Sequence, residues 1–314
     1  MKYDIAALGE MLIDFVPIGK DGTGDLIFSR KAGGAPLNLL ATISKFGGKT
    51  VFIGKVGKDI FGDFLHSILK KYNISDEGLI ADPVHNTTLA FVQLDENGER
   101  EFSFYRNFGA DIFLDKTEVN TEIIKNSSIF HFGSLSLVSE PSRTATEFAI
   151  SVARDSGCII TYDPNYREPL WSDKTFAVNM MKAHLDKVDI LKISKDELLM
   201  LNKMNDTDEA VKLVQSCGVK IVLVTDGAKG ASAYMGNKCV KLPAVKADTI
   251  DTTGAGDIFF GTFLSEWIKK GSTLKNITID EITKFLKKAI WVAGKSTESH
   301  GAIASIPDLK GWHK

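Results

Sequence analysis

The residues best suited to chemistry stand in one run, Asp251-Thr252-Thr253-Gly254-Ala255-Gly256-Asp257. Apolar residues recur after it at 259/260, 263/264 and 267/268, the spacing of a helix with one buried face. The run therefore lies where that helix begins, and a helix start presents unpaired N–H groups and partial positive charge. Glycines leave room for an anion there, and Asp257 would be placed to accept a proton from a group that attacks a bound phosphate. The simpler interpretation is a tight turn followed by a helix-starting acid.

A second group of glycine and polar residues lies near the N-terminus. Gly33 and Gly34 precede a predicted helix that contains Asn38, and Asp14 follows the first predicted strand. Glycines let a ligand approach the backbone, and Asn38 offers both a donor and an acceptor. A carboxylate such as Asp14 can accept hydrogen bonds from two neighbouring sugar hydroxyls. Each of these features alone is unspecific.

A third motif, at 222–230, runs from a strand into a turn that contains glycines. Such a turn at the carboxyl end of a strand could hold the phosphates or ribose of a nucleotide, or it could be a hairpin that leads to a strand at 231–235. The chain lacks the Gly-x-x-x-x-Gly-Lys-Ser/Thr sequence of P-loop proteins. It also lacks the Gly-x-Gly-x-x-Gly fingerprint of dinucleotide-binding proteins, which disfavours a nicotinamide-dependent oxidoreductase.

Composition narrows the function classes. The 314 residues are 44% hydrophobic and 25% charged, as in a globular protein, and the formal net charge of −2 offers no electrostatic case for nucleic acid or an anionic membrane. Three widely spaced cysteines fit neither a disulfide framework nor a zinc site, which favours a reducing, cytoplasmic location. The first ten residues resemble a short strand rather than a signal peptide, and no apolar run approaches the roughly 18 residues of a membrane span.

Strand and helix patterns alternate along the chain. Short apolar runs predict buried strands at 4–8, 51–56, 129–132, 158–162, 188–193 and 219–225. Amphipathic stretches predict helices at 35–46, 60–71, 140–155, 173–186 and 206–216. This alternation predicts one α/β domain over 1–314, with a mostly parallel central sheet and helices on both faces.

Two segments interrupt that alternation. Residues 13–31 hold two strand-like pieces around a Gly/Asp-rich tip, and residues 88–106 alternate around Asp95-Glu96-Asn97-Gly98, a hairpin signal. We predict that they form a small β-stranded lid, because a lid over a phosphate cradle would exclude water. The alternative is a pair of edge hairpins without function. An exposed lid edge could also pair with a second copy and form a homodimer.

Gly33-Gly34 with Asn38, and then the run at 251–257, resemble the two signature motifs of the PfkB/ribokinase family of carbohydrate kinases. The resemblance covers nearly the whole chain in the same order. Supporting segments stand at 9–15, 104–107, 110–111, 163–167 and 301–307, and they favour family members that act on fructose. The resemblance implies a ribokinase-like α/β fold with a β-stranded lid, ATP as the phosphoryl donor, a sugar as the acceptor and Mg²⁺ as a helper.

The resemblance also implies roles for single residues. Asp257 would be the base, and the N–H groups of Gly254, Ala255 and Gly256 would form an anion hole. The positions that match sugar contacts are Asp14, Gly33, Gly34 and Asn38. Arg106 and Arg167 match positions that reach the substrate or the transferring phosphoryl group.

The nucleotide and its ions are assigned in the same way. Thr225, Gly227 and Gly230 match the nucleotide loop. Ser194 and Glu197 match an Asn-x-x-Glu motif tied to nucleotide and Mg²⁺, with serine where asparagine is commoner. Asp251 and Thr253 match the first ligands of a monovalent cation such as K⁺, whose later carbonyl ligands would fall between 297 and 305.

These features predict ATP-dependent phosphorylation of D-fructose at O6. An ordinary ionised carboxylate would suffice as the base, because the hydroxyl proton leaves late in a loose transition state. The same fold could serve 2-keto-3-deoxygluconate, ribose or a nucleoside, since a few pocket contacts decide the acceptor. A non-catalytic sugar or nucleotide sensor would be expected to have lost Asp257 or the glycines, which are present.

Overall fold

The computed structural model describes residues 2–94 and 100–312. In this part of the chain the strands form two separate sheets, of nine and four strands. The larger sheet contains β1 (Tyr3–Leu8), β4 (Thr50–Gly57), β5 (Ile74–Asp82), β8 (Ser127–Gly133), β9 (Ile159–Asp163), β10 (Ile190–Ser194), β11 (Ile221–Thr225), β12 (Ala231–Met235) and β13 (Lys238–Leu242). The smaller sheet contains β2 (Leu12–Lys20), β3 (Leu26–Gly33), β6 (Leu89–Leu94) and β7 (Arg100–Tyr105).

The larger sheet has the order β13-β12-β11-β10-β9-β8-β1-β4-β5. Neighbouring strands are parallel from β5 to β11, whereas β12 and β13 are antiparallel additions. The carboxyl ends of the parallel strands therefore lie together, and open α/β sheets bind ligands at that end. There Gly133 is in register with Asp163, and Ser194 is in register with Thr225.

Helices cover both faces of this sheet. One face carries α1 (Ala35–Lys45), α2 (Ile60–Lys71), α8 (Ala255–Lys270) and α9 (Ile279–Ser296). The other face carries α3 (Thr121–Lys125), α4 (Ser142–Asp155), α5 (Lys174–Lys182), α6 (Lys195–Asn202) and α7 (Thr207–Ser216). Each face has its own apolar core, because side chains of a strand alternate between the two faces. None of the described helices is long and apolar enough to cross a membrane.

The contact between α1 and α8 positions the two sequence motifs. Gly261 lies where the helices cross, and a Cβ at that residue would stand 2.8 Å from Cβ of Thr42. Only a glycine permits so close an approach without displacing α1. The approach brings Asn38, in the first turn of α1, next to the start of α8.

The smaller sheet has the order β3-β2-β6-β7, with parallel pairing between β2 and β6 and antiparallel pairing elsewhere. Aromatic side chains pack on one another across it: Phe15 stacks on Phe91 at 4.9 Å, and Phe28 and Tyr105 meet the edges of Phe91 at 5.7 and 5.4 Å. Such pairs favour strand association beyond the area that they bury.

The predicted fold class is confirmed, and all six predicted strands lie in the larger sheet within two residues of their predicted bounds. One predicted helix, at 173–186, is shorter in the structure. Helix α5 ends at Lys182, and a separate 3₁₀ turn follows at Leu185–Lys187. The segments 13–31 and 88–106 form the smaller sheet, although the predicted turn at 95–98 lies outside the described residues. Elements that the sequence pattern did not predict include β5, β13, α3 and α6.

Candidate active site

Asp257 is the third residue of α8 and is buried, with 7% of its surface exposed. Its Oδ2 accepts a hydrogen bond from Nδ2 of Asn38 at 2.8 Å, and its Oδ1 accepts one from Nδ2 of Asn165 at 3.3 Å. Two amides from different parts of the chain thus hold the two oxygens of one carboxylate. This contact joins the two motifs that the sequence separates by more than two hundred residues.

The surroundings of Asp257 shift its proton affinity. Burial raises the pKa of this carboxyl, because the charged form loses its hydration. The hydrogen bond from Asn38 and the positive charges of Lys192 and Arg167 oppose that rise, while the negative charge of Glu10 adds to it. We expected that an ordinary ionised carboxylate would suffice as the base. The pKa of Asp257 is instead raised, because its side chain is buried at the start of α8.

The helix start beside Asp257 depends on glycine. Gly254 is the N-cap residue of α8 and has φ of 74°, a left-handed conformation, and a Cβ there would collide with Cβ of Ala302. A Cβ at Gly256 would lie 2.8 Å from Nζ of Lys192. The N–H of Ala255 donates to the carbonyl of Thr252 at 3.2 Å. The turn therefore already uses one of the three predicted anion-hole amides.

The predicted sugar contacts lie on β2, at the end of β3 and at the start of α1. A Cβ at Gly33 would collide with Oδ2 of Asp14, so the missing side chain makes room for that carboxylate. Gly34 has φ of 113° and allows α1 to begin directly after β3. The acceptor atom Oδ1 of Asn38 is buried and has no hydrogen-bond partner among the described residues. An acceptor in that state suits a donating hydroxyl.

The two predicted arginines have different surroundings. Arg106 is buried, and its guanidinium pairs with Oδ2 of Asp111 at 2.7 and 2.8 Å and donates to the carbonyl of Leu135 at 2.9 Å. It therefore holds local structure. Arg167 is exposed and donates to the carbonyl of Tyr166 at 3.0 Å, and its charge is felt by Asp257.

A cavity of about 670 Å³ joins the glycine turn at 227–230 to the start of α8. Thr225, Gly227 and Gly230 line one side of it, and Ala255 and Gly256 line another. Apolar side chains complete the wall: Val245, Phe259, Ile290 and Ala293. The turn connects the antiparallel strands β11 and β12 and also faces this cavity, so the geometry is compatible with both interpretations of the third motif. A largely apolar cleft with polar groups at one end suits a nucleotide.

Ser194 and Glu197 form a capping box at the start of α6. Oε1 of Glu197 accepts from the N–H of Tyr166 at 2.6 Å, and Oε2 accepts from the N–H and hydroxyl of Ser194 at 2.8 and 2.7 Å. Because these donors already engage both oxygens, Glu197 fits an ion better through a water molecule than by direct coordination. Mg²⁺ commonly keeps several of its waters in proteins.

Asp251 ties two loops together. Its Oδ1 accepts from the N–H of Thr253 at 2.8 Å, and its Oδ2 accepts from the N–H of Gly301 at 2.8 Å. Its own N–H donates to the carbonyl of Thr297 at 3.0 Å. The structure thus brings Asp251 and Thr253 beside the 297–305 segment, as a shared cation site would require. Within 2–94 and 100–312, no cluster of three or more His, Cys, Asp or Glu side chains could hold a metal ion.

Three residues near Asp257 received no role from the sequence pattern. Asn165 stands in a supporting segment, and its φ of 48° marks a left-handed residue. Lys192 stands between the apolar residues Leu191 and Ile193 of β10, which is a visible signal in the sequence. Glu10 is buried, and its Oε1 accepts from the N–H of Ala35 at 3.0 Å at the start of α1.

Comparison with known proteins agrees with this geometry. Residues 2–309 match the model of the pfkB family carbohydrate kinases. The chain belongs to that family. It is 42% identical to the probable fructokinase-5 of Arabidopsis thaliana over 96% of this chain and 94% of that protein, and 39% identical to fructokinase-1 of Zea mays over 96% and 94%. The resemblance seen in the sequence is thereby confirmed.

Solved structures extend the comparison. A fructokinase of Xylella fastidiosa with bound ATP superposes with a TM-score of 0.91 at 27% identity, over 99% of this chain and 97% of that chain. A fructokinase of Vibrio cholerae bound to fructose, ADP and a calcium ion superposes with a TM-score of 0.87 at 29% identity, over 99% and 98%. The pfkB-family chain is therefore a sugar kinase, a phosphotransferase with an alcohol acceptor.

The two ends of α8 provide a matched pair of substitutions. Gly254→Ala would force a side chain into Ala302, and we expect kcat to fall by about 10²-fold, because small displacements of a helix start misalign reacting groups. Gly271 has φ of 65°, and a Cβ there would meet no atom within 4 Å, so Gly271→Ala should cost only about 1 kcal/mol of unfolding free energy. Urea denaturation and steady-state kinetics measure both. Equal kcat values in the two variants would contradict the assignment of the turn at Gly254 to the active site.

Proposed function

We propose that this protein transfers the γ-phosphoryl group of ATP to O6 of D-fructose, which yields fructose 6-phosphate and ADP. The observation that carries the proposal is the contact of Asn38 with Asp257 at a glycine-rich helix start that opens into the 670 Å³ cavity. One buried carboxylate thus lies between the predicted sugar residues and a cleft that is large enough for a nucleotide. The fructokinases to which the chain is similar over nearly their whole length support fructose as the acceptor.

Sugar binding is assigned to groups on both sides of Asp257. Asp14 accepts hydrogen bonds from sugar hydroxyls, and Gly33 and Gly34 let the sugar lie close to the backbone. Asn38 accepts from a hydroxyl through Oδ1, which has no partner in the described part of the chain, while its Nδ2 holds Asp257. Arg106 contributes indirectly, because its pairing with Asp111 fixes the segment after β7.

The chemical step needs positioning more than covalent help. Asp257 accepts the proton of the 6-hydroxyl as the O6–P bond forms and the bond from phosphorus to the departing ADP oxygen breaks. The start of α8, with Gly254, Ala255 and Gly256, receives the charge on the γ-phosphoryl oxygens. Arg167, exposed and near Asp257, supplies a further positive charge.

ATP occupies the cavity beside Thr225, Gly227 and Gly230, with the adenine against the apolar wall. Mg²⁺, when bound with the nucleotide, neutralises phosphate charge, and Ser194 with Glu197 would hold its hydration shell. Asp251 and Thr253, with carbonyls of the 297–305 segment, would hold a monovalent cation such as K⁺. A V. cholerae fructokinase variant has been solved with fructose, ADP and potassium.

The whole chain is proposed to be one domain, with the smaller sheet as its lid. Asp14 and Gly33 are predicted sugar contacts, and both lie on strands of this sheet. Movement of the sheet would therefore open and close the sugar site. A cytoplasmic location is also proposed, supported by the free cysteines Cys158, Cys217 and Cys239.

The base is tested by Asp257→Asn. This substitution keeps the size of the side chain and removes the proton acceptor, so kcat should fall by about 10²–10⁴-fold while the thermal unfolding midpoint stays near that of the wild type. Because burial raises the pKa of Asp257, the wild-type kcat should be lost as pH falls, with a midpoint above the ordinary carboxyl value. A kcat of Asp257→Asn close to that of the wild type would refute the role.

The acceptor is tested by a panel of sugars in an ADP-release assay. Fructose should show the highest kcat/KM among fructose, 2-keto-3-deoxygluconate, ribose and adenosine, since the chain is similar to fructokinases over nearly its whole length. If another sugar has a higher kcat/KM, that sugar replaces fructose as the proposed acceptor, and the assignment as a kinase is unchanged. Inactivity with all four would remove fructose as the acceptor and direct the search to other sugars.

A homodimer through the lid is proposed from exposed apolar residues. Ile18 and Leu26 are 63% and 57% exposed on β2 and on the edge strand β3. Sedimentation equilibrium should find a dimer for the wild type and for Leu213→Asp on α7, and a monomer for Leu26→Asp, because a charge on a paired edge disfavours association. A monomeric wild type would exclude the dimer.

A further inference from the structure

Lys192 is a charged residue in the middle of a buried strand. Its neighbours Leu191 and Ile193 belong to the core under α4–α7, and Ile190 belongs to the core under α1, α8 and α9. Because strand side chains alternate, Lys192 points to the side of α8. It is 5% exposed, and its partner in register on β11 is Leu223, a residue of the same core. An aliphatic side chain would be expected there.

The ammonium of Lys192 pairs with Asp163 at the end of β9. Nζ lies 2.8 Å from Oδ2 of Asp163, which is 3% exposed. The second oxygen, Oδ1, is buried without a hydrogen-bond partner in the described part of the chain. A buried ion pair is seldom more stabilising than apolar residues of the same volume, because both charges lose their hydration. The stability of the fold therefore gives little reason for this pair.

The position of Lys192 points to the chemical step instead. Nζ lies 2.8 Å from where a Cβ of Gly256 would stand, directly beneath the first turn of α8. Its charge reaches the carboxylates of Asp257 and Glu197. Lys192 thus lies under the helix start at which the transferring phosphoryl group is expected.

We propose that Lys192 is a positioning residue of the phosphoryl-transfer step: its fixed charge keeps Asp257 ionised and adds positive potential to the start of α8. The proposal rests on the function proposed above. It assigns the Lys192–Asp163 pair to catalysis and not to packing. No direct contact with the substrate is needed, because the charge acts through Asp257 and through the helix start.

The charged groups around this site agree with the assignment. Burial alone would lower the pKa of Lys192, but the carboxylates of Asp163 and Glu197 raise it, so the side chain stays an ammonium. His131 on β8 faces the same side and stays neutral, because burial and the charge of Lys192 lower its pKa to about 3.

The charged groups that face Asp257 come from β10, from β9 with the loop after it, and from the segment after β1. Lys192 on β10 and Arg167 after β9 favour its charged form, and Glu10 after β1 opposes it. Asp163 at the end of β9 is a further negative charge: burial raises the pKa of its carboxyl, and the ammonium of Lys192 opposes that rise. Among these described groups Lys192 is the buried cation, since Arg167 is exposed.

The test compares Lys192→Met with Asp163→Asn. Both remove one member of the pair with little change of volume, so a packing role would impair them alike. An electrostatic role moves the acid limb of kcat in opposite directions: loss of the cation raises the pKa of Asp257, and loss of the neighbouring carboxylate lowers it. The measurement consists of kcat and KM for fructose, with saturating ATP and Mg²⁺, from pH 4 to pH 9.

The expected order of the acid midpoints is Asp163→Asn lowest, wild type next and Lys192→Met highest, with about one pH unit or more between the two variants. At the wild-type optimum, Lys192→Met should lose about 10-fold to 10²-fold in kcat, while KM for fructose stays within about threefold. Midpoints that move in the same direction, or a Lys192→Met enzyme with wild-type kcat and midpoint, would overturn the proposal.

Two provisions keep the outcome clear. If Lys192→Met does not fold, Lys192→Gln, which can still donate to Asp163, takes its place, and the downward midpoint shift of Asp163→Asn remains a test by itself. If the wild type proves inactive on fructose but active on another sugar, the variants are measured with that sugar. Failure of the acceptor assignment is then seen in the wild type, and failure of the Lys192 proposal only in the variants.

Discussion

The hydrogen bond between Asn38 and Asp257 is the contact on which the rest of the site depends. It exists because α1 and α8 cross closely at Gly261, which requires a residue without a side chain. The crossing brings a helix start that suits an anion to a segment that suits a sugar. The larger sheet beneath supplies the remaining groups, since the carboxyl ends of β9, β10 and β11 lie side by side at Asp163, Ser194 and Thr225. The close crossing of α1 and α8 is therefore required both for the packing of the fold and for the assembly of the site.

The balance of buried charge is the second constraint. Three carboxylates are almost fully buried, Asp257 and Asp163 near the start of α8 and Glu10 at the start of α1, and burial raises the pKa of each. Such a cluster would be costly if every group were ionised and uncompensated. Lys192, the amides that hold Asp257 and the helix start itself offset that cost. A nucleotide phosphate brings further negative charge to the same place, which is why the cation beneath α8 matters for the reaction.

Much of the architecture could be predicted because it follows from local patterns. The six strands are short apolar runs and the helices follow an amphipathic period, and both signals come from residues that are close in sequence. The smaller sheet could also be predicted, since its two segments alternate with period two. Elements without such a signal were missed: β5 carries glutamate and glycine among its apolar residues, and the N-cap residue of α6 is a serine that was assigned to the nucleotide. Arg106 shows the limit of motif reasoning, because only its neighbours Asp111 and Leu135 reveal that its guanidinium is engaged within the protein.

The sequence by itself determined the alternation of strands and helices, the glycine-rich helix start, the identity of the candidate base and membership of the kinase family. All of these rest on residue types and short spacings, which a linear chain displays directly. Only the tertiary structure decided that Asn38 and Asn165 hold the two oxygens of Asp257, that Glu197 is engaged by backbone amides and that Lys192 lies beneath α8. Those facts depend on contacts between residues far apart in the chain, and burial and charge at such contacts exist only once the helices have packed on the sheet.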